Sequence, residues 1–248
     1  RAAKGRAIVN LIGCEPDEKV SAFISVKEFN DDHYVVMATE KGMVKKTKLS
    51  AYSNPRKKGI YAVEIRDGDK LIEARVSTGD NDILLGTRNG KSIRFSEEQI
   101  RASGRKTMGV KGITLSSEDD RLVGMLLIKR EGTVLVATEK GFGKRTEISQ
   151  YRAQKRGGKG VLTMKTTDKV GKMVTIKEVV DKDDLMIITN QGVLIRLPVA
   201  QIRSIGRATQ GVKLIKLGEG TLVSSITRIM SEEEEDENNN TESTEPKE

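Results

Sequence analysis

Gln154-Lys155-Arg156-Gly157-Gly158-Lys159-Gly160 sets three cations among three glycines. Glycine lets a backbone approach a ligand closely and take positive φ. The cations then face whatever lies there, and the backbone N–H groups are unobstructed. Phosphates in a row are the ligand that such a stretch suits. Other chemistry finds little support. His33 is the only histidine and Cys14 the only cysteine, too few for a metal site. Without a second histidine, no Ser/His/Asp or Cys/His set can form. Gly86-Thr87-Arg88-Asn89-Gly90-Lys91-Ser92 has three residues between Gly86 and Gly90 where a phosphate-binding P-loop needs four. Asp119 and Asp120 are expected to solvate a turn. Tyr52 and Tyr151 recur just before basic loops and are expected to pack.

The heptad is the sharpest copy of a recurring feature. Thr39-Glu40-Lys41-Gly42, Thr87-Arg88-Asn89-Gly90, Thr138-Glu139-Lys140-Gly141 and Thr189-Asn190-Gln191-Gly192 align, with their glycines 48, 51 and 51 residues apart. A short apolar run precedes each turn, and a cation-bearing alternating run follows it. A second glycine closes a basic loop at Gly59, Gly109, Gly160 and Gly211, and another alternating run comes after. Gly5 fits the closing position, so the chain opens partway through a repeat and then holds four complete ones. Four short strands per repeat, with a period of about 50 residues, predict a propeller-type all-β fold.

Charge divides the chain. The net charge is +8, from 44 basic and 36 acidic residues. Residues 231–248 carry nine acidic residues and one lysine, so residues 1–230 are strongly basic. A body of that charge points to a polyanion. The tail, rich in Glu, Asn, Thr and Ser, is expected to be disordered. One cysteine suits a reducing cytosol, and no apolar run is long enough to suggest a membrane span. The chain begins without Met and reads as part of a longer protein.

The basic loops are expected to carry the binding: Arg56-Lys57-Lys58-Gly59, Arg105-Lys106-Thr107-Met108-Gly109, Arg152 with Gln154 to Gly160, and Arg207-Ala208-Thr209-Gln210-Gly211, with Lys4-Gly5-Arg6 at the start. Equivalent loops on equivalent blades would line their charges along one rim. Lys45, Lys46, Arg94, Lys144, Arg145 and Arg196, on the strands after the turn glycines, are expected to widen that stripe. Few aromatics and no recognition helix leave phosphate contacts and DNA deformability to dominate over base readout.

These residues resemble the C-terminal DNA-wrapping domain of the A protein of DNA gyrase, within the type IIA topoisomerases. Gln154 to Gly160 matches that family's box, Q-[RK]-R-G-G-[RK]-G, at every position. Gly5-Arg6-Ala7-Ile8-Val9-Asn10-Leu11 and Gly206 to Val212 are similar to its loop-to-strand segments. The resemblance covers nearly all of residues 1–230. It implies a β-pinwheel, in which neighbouring blades exchange a strand, that bends double-stranded DNA around its rim. It also implies the rest of the gyrase A protein as a dimer, the gyrase B protein in an A2B2 heterotetramer, cytoplasmic association with the chromosome, and ATP-driven negative supercoiling. ATP and Mg²⁺ would serve the holoenzyme, with no cofactor or catalytic residue in this segment. The family usually has six blades, and its strict box normally sits in a blade absent here, so the resemblance leaves the box at 154–160 as either the principal copy or a second one. The alternatives are the related domain of the topoisomerase IV A protein, a propeller used as a protein-interaction platform, and a propeller enzyme, for which no constellation is present.

Overall fold

The computed structural model describes residues 18–56 and 58–230 of the chain. Cys14, Lys57, the first basic segment (Lys4-Gly5-Arg6) and the acidic tail lie outside them.

Each repeat begins with a β-hairpin. The first strands are β1 (Tyr34–Thr39), β4 (Asp82–Thr87), β8 (Thr133–Thr138) and β12 (Asp184–Thr189). The strands that return from the turns are β2 (Met43–Lys48), β5 (Lys91–Ser96), β9 (Phe142–Glu147) and β13 (Leu194–Pro198). In the turns, Gly42, Gly90, Gly141 and Gly192 donate their N–H to the carbonyl of the leading threonine, each at 3.0 Å. Their φ values run from 78° to 82°, a left-handed conformation that glycine adopts freely. A 3-10 turn of three or four residues follows each returning strand.

The inner strands β3 (Leu71–Ser77), β7 (Leu122–Ile128), β11 (Met173–Val179) and β15 (Val223–Ile229) pair back onto the first strand of their own repeat. Between hairpin and inner strand the chain leaves its own sheet. The two-residue strands β6 (Val110–Lys111), β10 (Val161–Leu162) and β14 (Val212–Lys213) pair with β2, β5 and β9 of the preceding repeat. The sheets therefore read β3-β1-β2-β6, β10-β5-β4-β7 and β11-β8-β9-β14, with a three-stranded fourth sheet, β13-β12-β15. Four antiparallel sheets in a propeller-like ring, linked by exchanged strands, are the expected pinwheel.

The first repeat departs from this pattern. Residues 60–65, expected to form the run after Gly59, are in no strand. Instead Ala62 O accepts from Lys45 Nζ at 2.9 Å and Glu64 N–H donates to Thr107 O at 3.1 Å. Among the described residues no earlier sheet offers this segment an edge to join.

Adjacent sheets pack face to face, and the hairpin's first strand feeds two interfaces at once. In β4, Ile83 and Leu85 join the core shared with β1 and β2, while Leu84 joins the core shared with β8. In β8, Val134 and Val136 face β4, while Leu135 and Ala137 face the fourth sheet. Burial on both sides explains why these runs are continuously apolar rather than alternating. Val, Ile, Leu and Met supply nearly all of this core.

Candidate nucleic-acid interface

Three basic loops carry the chain from one sheet to the sheet before it, and each lies along the strand it crosses. Ser103, Gln154 and Ile205 donate their backbone N–H groups to the carbonyls of Lys46, Arg94 and Arg145 at 2.8–2.9 Å. The closing glycines then come down onto the returning strand. A Cβ on Gly109 would lie 2.3 Å from Val44 O, on Gly160 2.4 Å from Ser92 O, and on Gly211 2.6 Å from Gly143 O. The same three glycines have φ of 79°, 69° and 76°. Close approach and backbone conformation thus both demand glycine there. Around Gly59 a Cβ would meet nothing within 4 Å among the described residues.

One arginine per loop turns inward. Arg105, Arg156 and Arg207 occupy equivalent positions, four residues before the closing glycine. Arg105 Nη1 donates to Tyr61 O at 3.3 Å, Arg156 Nη1 to Lys111 O at 2.5 Å, and Arg207 Nη1 to Leu162 O at 2.9 Å. Each acceptor lies two residues beyond the closing glycine of the preceding loop, so every loop is stitched to the next. Glutamines add to the stitch: Gln99 Oε1 accepts from Arg156 N–H at 2.8 Å, and Gln150 Oε1 from Arg207 N–H at 3.3 Å. The heptad is tied further. Gly157 N–H donates to Gly112 O at 2.8 Å, and Thr114 donates through its N–H to Gly158 O and through its hydroxyl to Gly157 O.

The strand cations do not widen the stripe. Lys45 and Lys144 are 1% and 0% exposed. Lys144 Nζ donates to Gly206 O at 2.8 Å, to Thr209 Oγ1 at 3.0 Å and to the carbonyl of Arg207. Lys45 Nζ donates to the carbonyls of Ala62 and Arg105. Both ammonium groups therefore hold basic loops in place from beneath. Burial, with a neighbouring loop arginine, pulls each pKa down to about 8. In β5 the equivalent position is Ile93. There the glycine pair of the heptad packs instead, and a Cβ on Gly158 would lie 3.4 Å from Ile93 Cδ1.

The next position along is a cation in every repeat, and each is neutralised. Lys46 Nζ lies 3.5 Å from fully buried Glu97 and over the Tyr34 ring. Arg94 pairs with Asp82 at 2.6 Å, Arg145 with Asp181, and Arg196 with Asp184 at 2.5 Å. Lys45, Lys46, Arg94, Lys144 and Arg145 are accordingly structural cations, committed to carbonyls or carboxylates, while Arg196 is paired but keeps an exposed side chain.

Exposed cations remain on the loops themselves: Arg56 and Lys58, Lys106, then Arg152, Lys155 and Lys159. Lys106 stacks 5.8 Å from the centroid of the Tyr61 ring. Sequence reasoning missed Arg101 and Arg203, which are exposed and share the register of Arg152 at 51-residue spacing. It also missed Lys111 and Lys213, exposed two residues past their closing glycines. The spacing that found the glycines finds all four.

The rejected motifs have structural roles. Gly86 to Ser92 spans the β4–β5 hairpin. Asp120 holds a turn, accepting from the N–H groups of Asn89 and Arg121 and, at its other oxygen, from Ser116. Asp119 accepts from the Ser117 hydroxyl, which lowers its pKa. Tyr151 is buried in the core, and Tyr52 donates its hydroxyl to Ala62 O at 3.1 Å. His33 sits half-buried beside Asn30. Among the described residues no three His, Cys, Asp or Glu side chains cluster as metal ligands, and no helix is long and apolar enough to cross a membrane.

Strand exchange between four-stranded blades, with a glycine-closed basic loop at each crossing, defines a β-pinwheel repeat domain. The family described as the DNA gyrase C-terminal domain, beta-propeller, matches residues 33–78, 81–129, 132–179 and 183–229, and the chain belongs to it. The A protein of DNA gyrase from Staphylococcus epidermidis is 45% identical over 236 residues, and that from Staphylococcus aureus 44% over 232. These matches cover 94% and 92% of this chain but only 26% of each relative. Among solved structures, the C-terminal domain of DNA topoisomerase IV superposes with a TM-score of 0.88 at 25% identity, covering 97% of this chain and 76% of that one. The DNA gyrase A C-terminal domain superposes at 0.82 and 23% identity, covering 92% and 76%; at that identity it speaks for the fold alone.

Proposed function

We propose that this chain bends duplex DNA around the series of exposed loop cations, as the DNA-wrapping part of a gyrase A protein. The observation that carries the reading is the register. Arg101, Lys106 and Lys111, then Arg152, Lys155 and Lys159, then Arg203 and Lys213 stand on successive stitched loops, without a carboxylate partner among the described residues. The buried lysines and inward arginines beneath them fix loop shape before DNA arrives, so less ordering is lost on binding. With Arg56 and Lys58 the series holds ten cations. If each meets one phosphate, log K falls against log salt with a slope of about −9. Smoothly bending 20–30 bp by 40–90° costs of order 1–6 kcal/mol, which counterion release on that scale offsets at low salt.

The assembly and chemistry of the whole enzyme belong to the same proposal. A dimer of the gyrase A protein, together with the gyrase B protein, would use ATP and Mg²⁺ to pass the wrapped duplex. Relaxed plasmid mixed with the 248-residue chain, treated with a relaxing topoisomerase and run on a gel, tests the wrap. A shift in linking number that grows with protein is expected. An unchanged topoisomer distribution sinks the reading. The structural likeness to the topoisomerase IV domain favours a second reading, in which DNA is bound and bent without a defined writhe. Retarded, bent DNA with no change in linking number selects it.

A further inference from the structure

The strands at the centre of the ring carry a second set of cations that the loops do not use. Strands β3, β7, β11 and β15 follow one another around the axis, in contact from blade to blade. Register against the hairpin strands makes Arg75, Leu126, Lys177 and Thr227 equivalent, since they oppose Val36, Leu84, Leu135 and Met186. A cavity of about 480 Å³ opens among them, lined also by Lys129 and Arg228.

Carboxylates balance these charges only in part, Glu73 acting on Lys177 and Asp183 and Glu178 on Arg228. Glu73 is taken by Arg75 at 3.1 Å, and Asp183 by Arg130 at 3.3 Å. The Glu178 carboxylate accepts from the backbone N–H groups of Lys129 and Arg130. Among the described residues Arg228 Nη1 hydrogen-bonds only the Glu178 backbone carbonyl, at 3.1 Å, and Lys129 Nζ only Val76 O, at 3.2 Å. Lys177 Nζ has neither hydrogen bond nor ion pair among the described residues. Burial holds the Lys177 pKa below the usual lysine range against the opposing charge of Glu73, and Arg75 and Arg228 add to the lowering. Cations that repel one another in a half-enclosed space gain most from an anion bearing several charges.

We propose that the axial cavity binds a short polyphosphate chain, held by Lys177, Arg228 and Lys129. Duplex DNA is not the occupant. The inner strands are separated from the exchanged strands by three strand spacings, roughly 14 Å, and the cavity is far smaller than a helix of DNA. The chemistry is shared by free pyrophosphate and by the phosphates of a nucleotide.

Calorimetric titration of the 248-residue chain with sodium pyrophosphate, without divalent cations and against sodium sulfate at matched ionic strength, tests the proposal. Binding of pyrophosphate is expected, weakened at least tenfold by Lys177→Met and retained by Lys177→Arg. The rim variant Lys155→Ala/Lys159→Ala should bind as tightly as the parent, which separates this site from the DNA surface. Equal affinity in parent and Lys177→Met, or loss of binding in the rim variant, overturns it. Should Lys177→Met lose its β circular dichroism, Arg228→Gln takes its place with the same tenfold expectation and the same overturning result. Titration with ATP identifies the source: Lys177-dependent binding of ATP admits a nucleotide, and binding of pyrophosphate alone restricts the site to the inorganic ion.

Discussion

Lysine and arginine divide here into three kinds by what their charge meets. Lys144 meets carbonyls, Arg145 meets a carboxylate, and Lys155 meets water. Lys144→Met would leave the carbonyls of Gly206, Arg207 and Thr209 without their donor. Its expected cost is about 2–4 kcal/mol in urea unfolding at pH 7. The pH dependence has a defined sign. The folded pKa of Lys144, about 8, lies below an unfolded value of about 10.4. Between those values the unfolded chain binds more protons, so this lysine's contribution to stability rises with pH. The gap between parent and Lys144→Met should therefore widen by on the order of 2 kcal/mol from pH 7.5 to pH 10; a gap that narrows would refute the shift. On the loops, Lys155→Ala/Lys159→Ala should flatten the log K against log salt slope by about 2. Arg156→Ala acts differently. Its guanidinium is spent on Lys111 O and Gln99 O, so affinity should drop with the slope nearly unchanged. A filter-binding salt series on a fixed duplex reads both.

At the level of strands, the positions that spacing reveals are those where local backbone chemistry is obligatory. The turn glycines and the closing glycines were legible because each needs positive φ or close contact, and these needs recur with the repeat. Strand exchange was legible only through family resemblance. Val161 and Leu162 read as a strand whichever sheet they join, because pairing partner is a tertiary choice. Burial of Lys45 and Lys46 together was not legible at all. Alternation in a strand sends one of two neighbours to solvent, yet in β2 the positions 44–47 are all buried. The basic loop of the following repeat covers the face that periodicity assigns to water. Gly160→Ala tests the crossing directly. A methyl group there falls 2.4 Å from Ser92 O at a φ of 69°, so β10 must lift from β5. A loss of at least ~2 kcal/mol is expected by chemical denaturation, with faster exchange of the Ser92 amide hydrogens; parent-like stability would show that the loop can close elsewhere.

Across the whole chain, contacts run between neighbouring repeats. Cores form between the first and second sheets, the second and third, and the third and fourth, and the loop stitches follow the same order. Basic composition and the glycine register pointed to a polyanion-binding repeat array, while the axial cations stayed hidden. Arg75 and Lys177 share a register but Leu126 and Thr227 do not share their charge, so no repeat signal marks them. Only the ring brings them together.

The stitched loops act as a ruler. Because each arginine grips the segment leaving the loop before it, a repeat gained or lost by gene duplication or deletion would meet its neighbours through the same arginine contact. Each such event adds or subtracts one fixed increment of path for a bound polymer. On the proposed wrap, lineages carrying different numbers of repeats would then differ in how much duplex they spool.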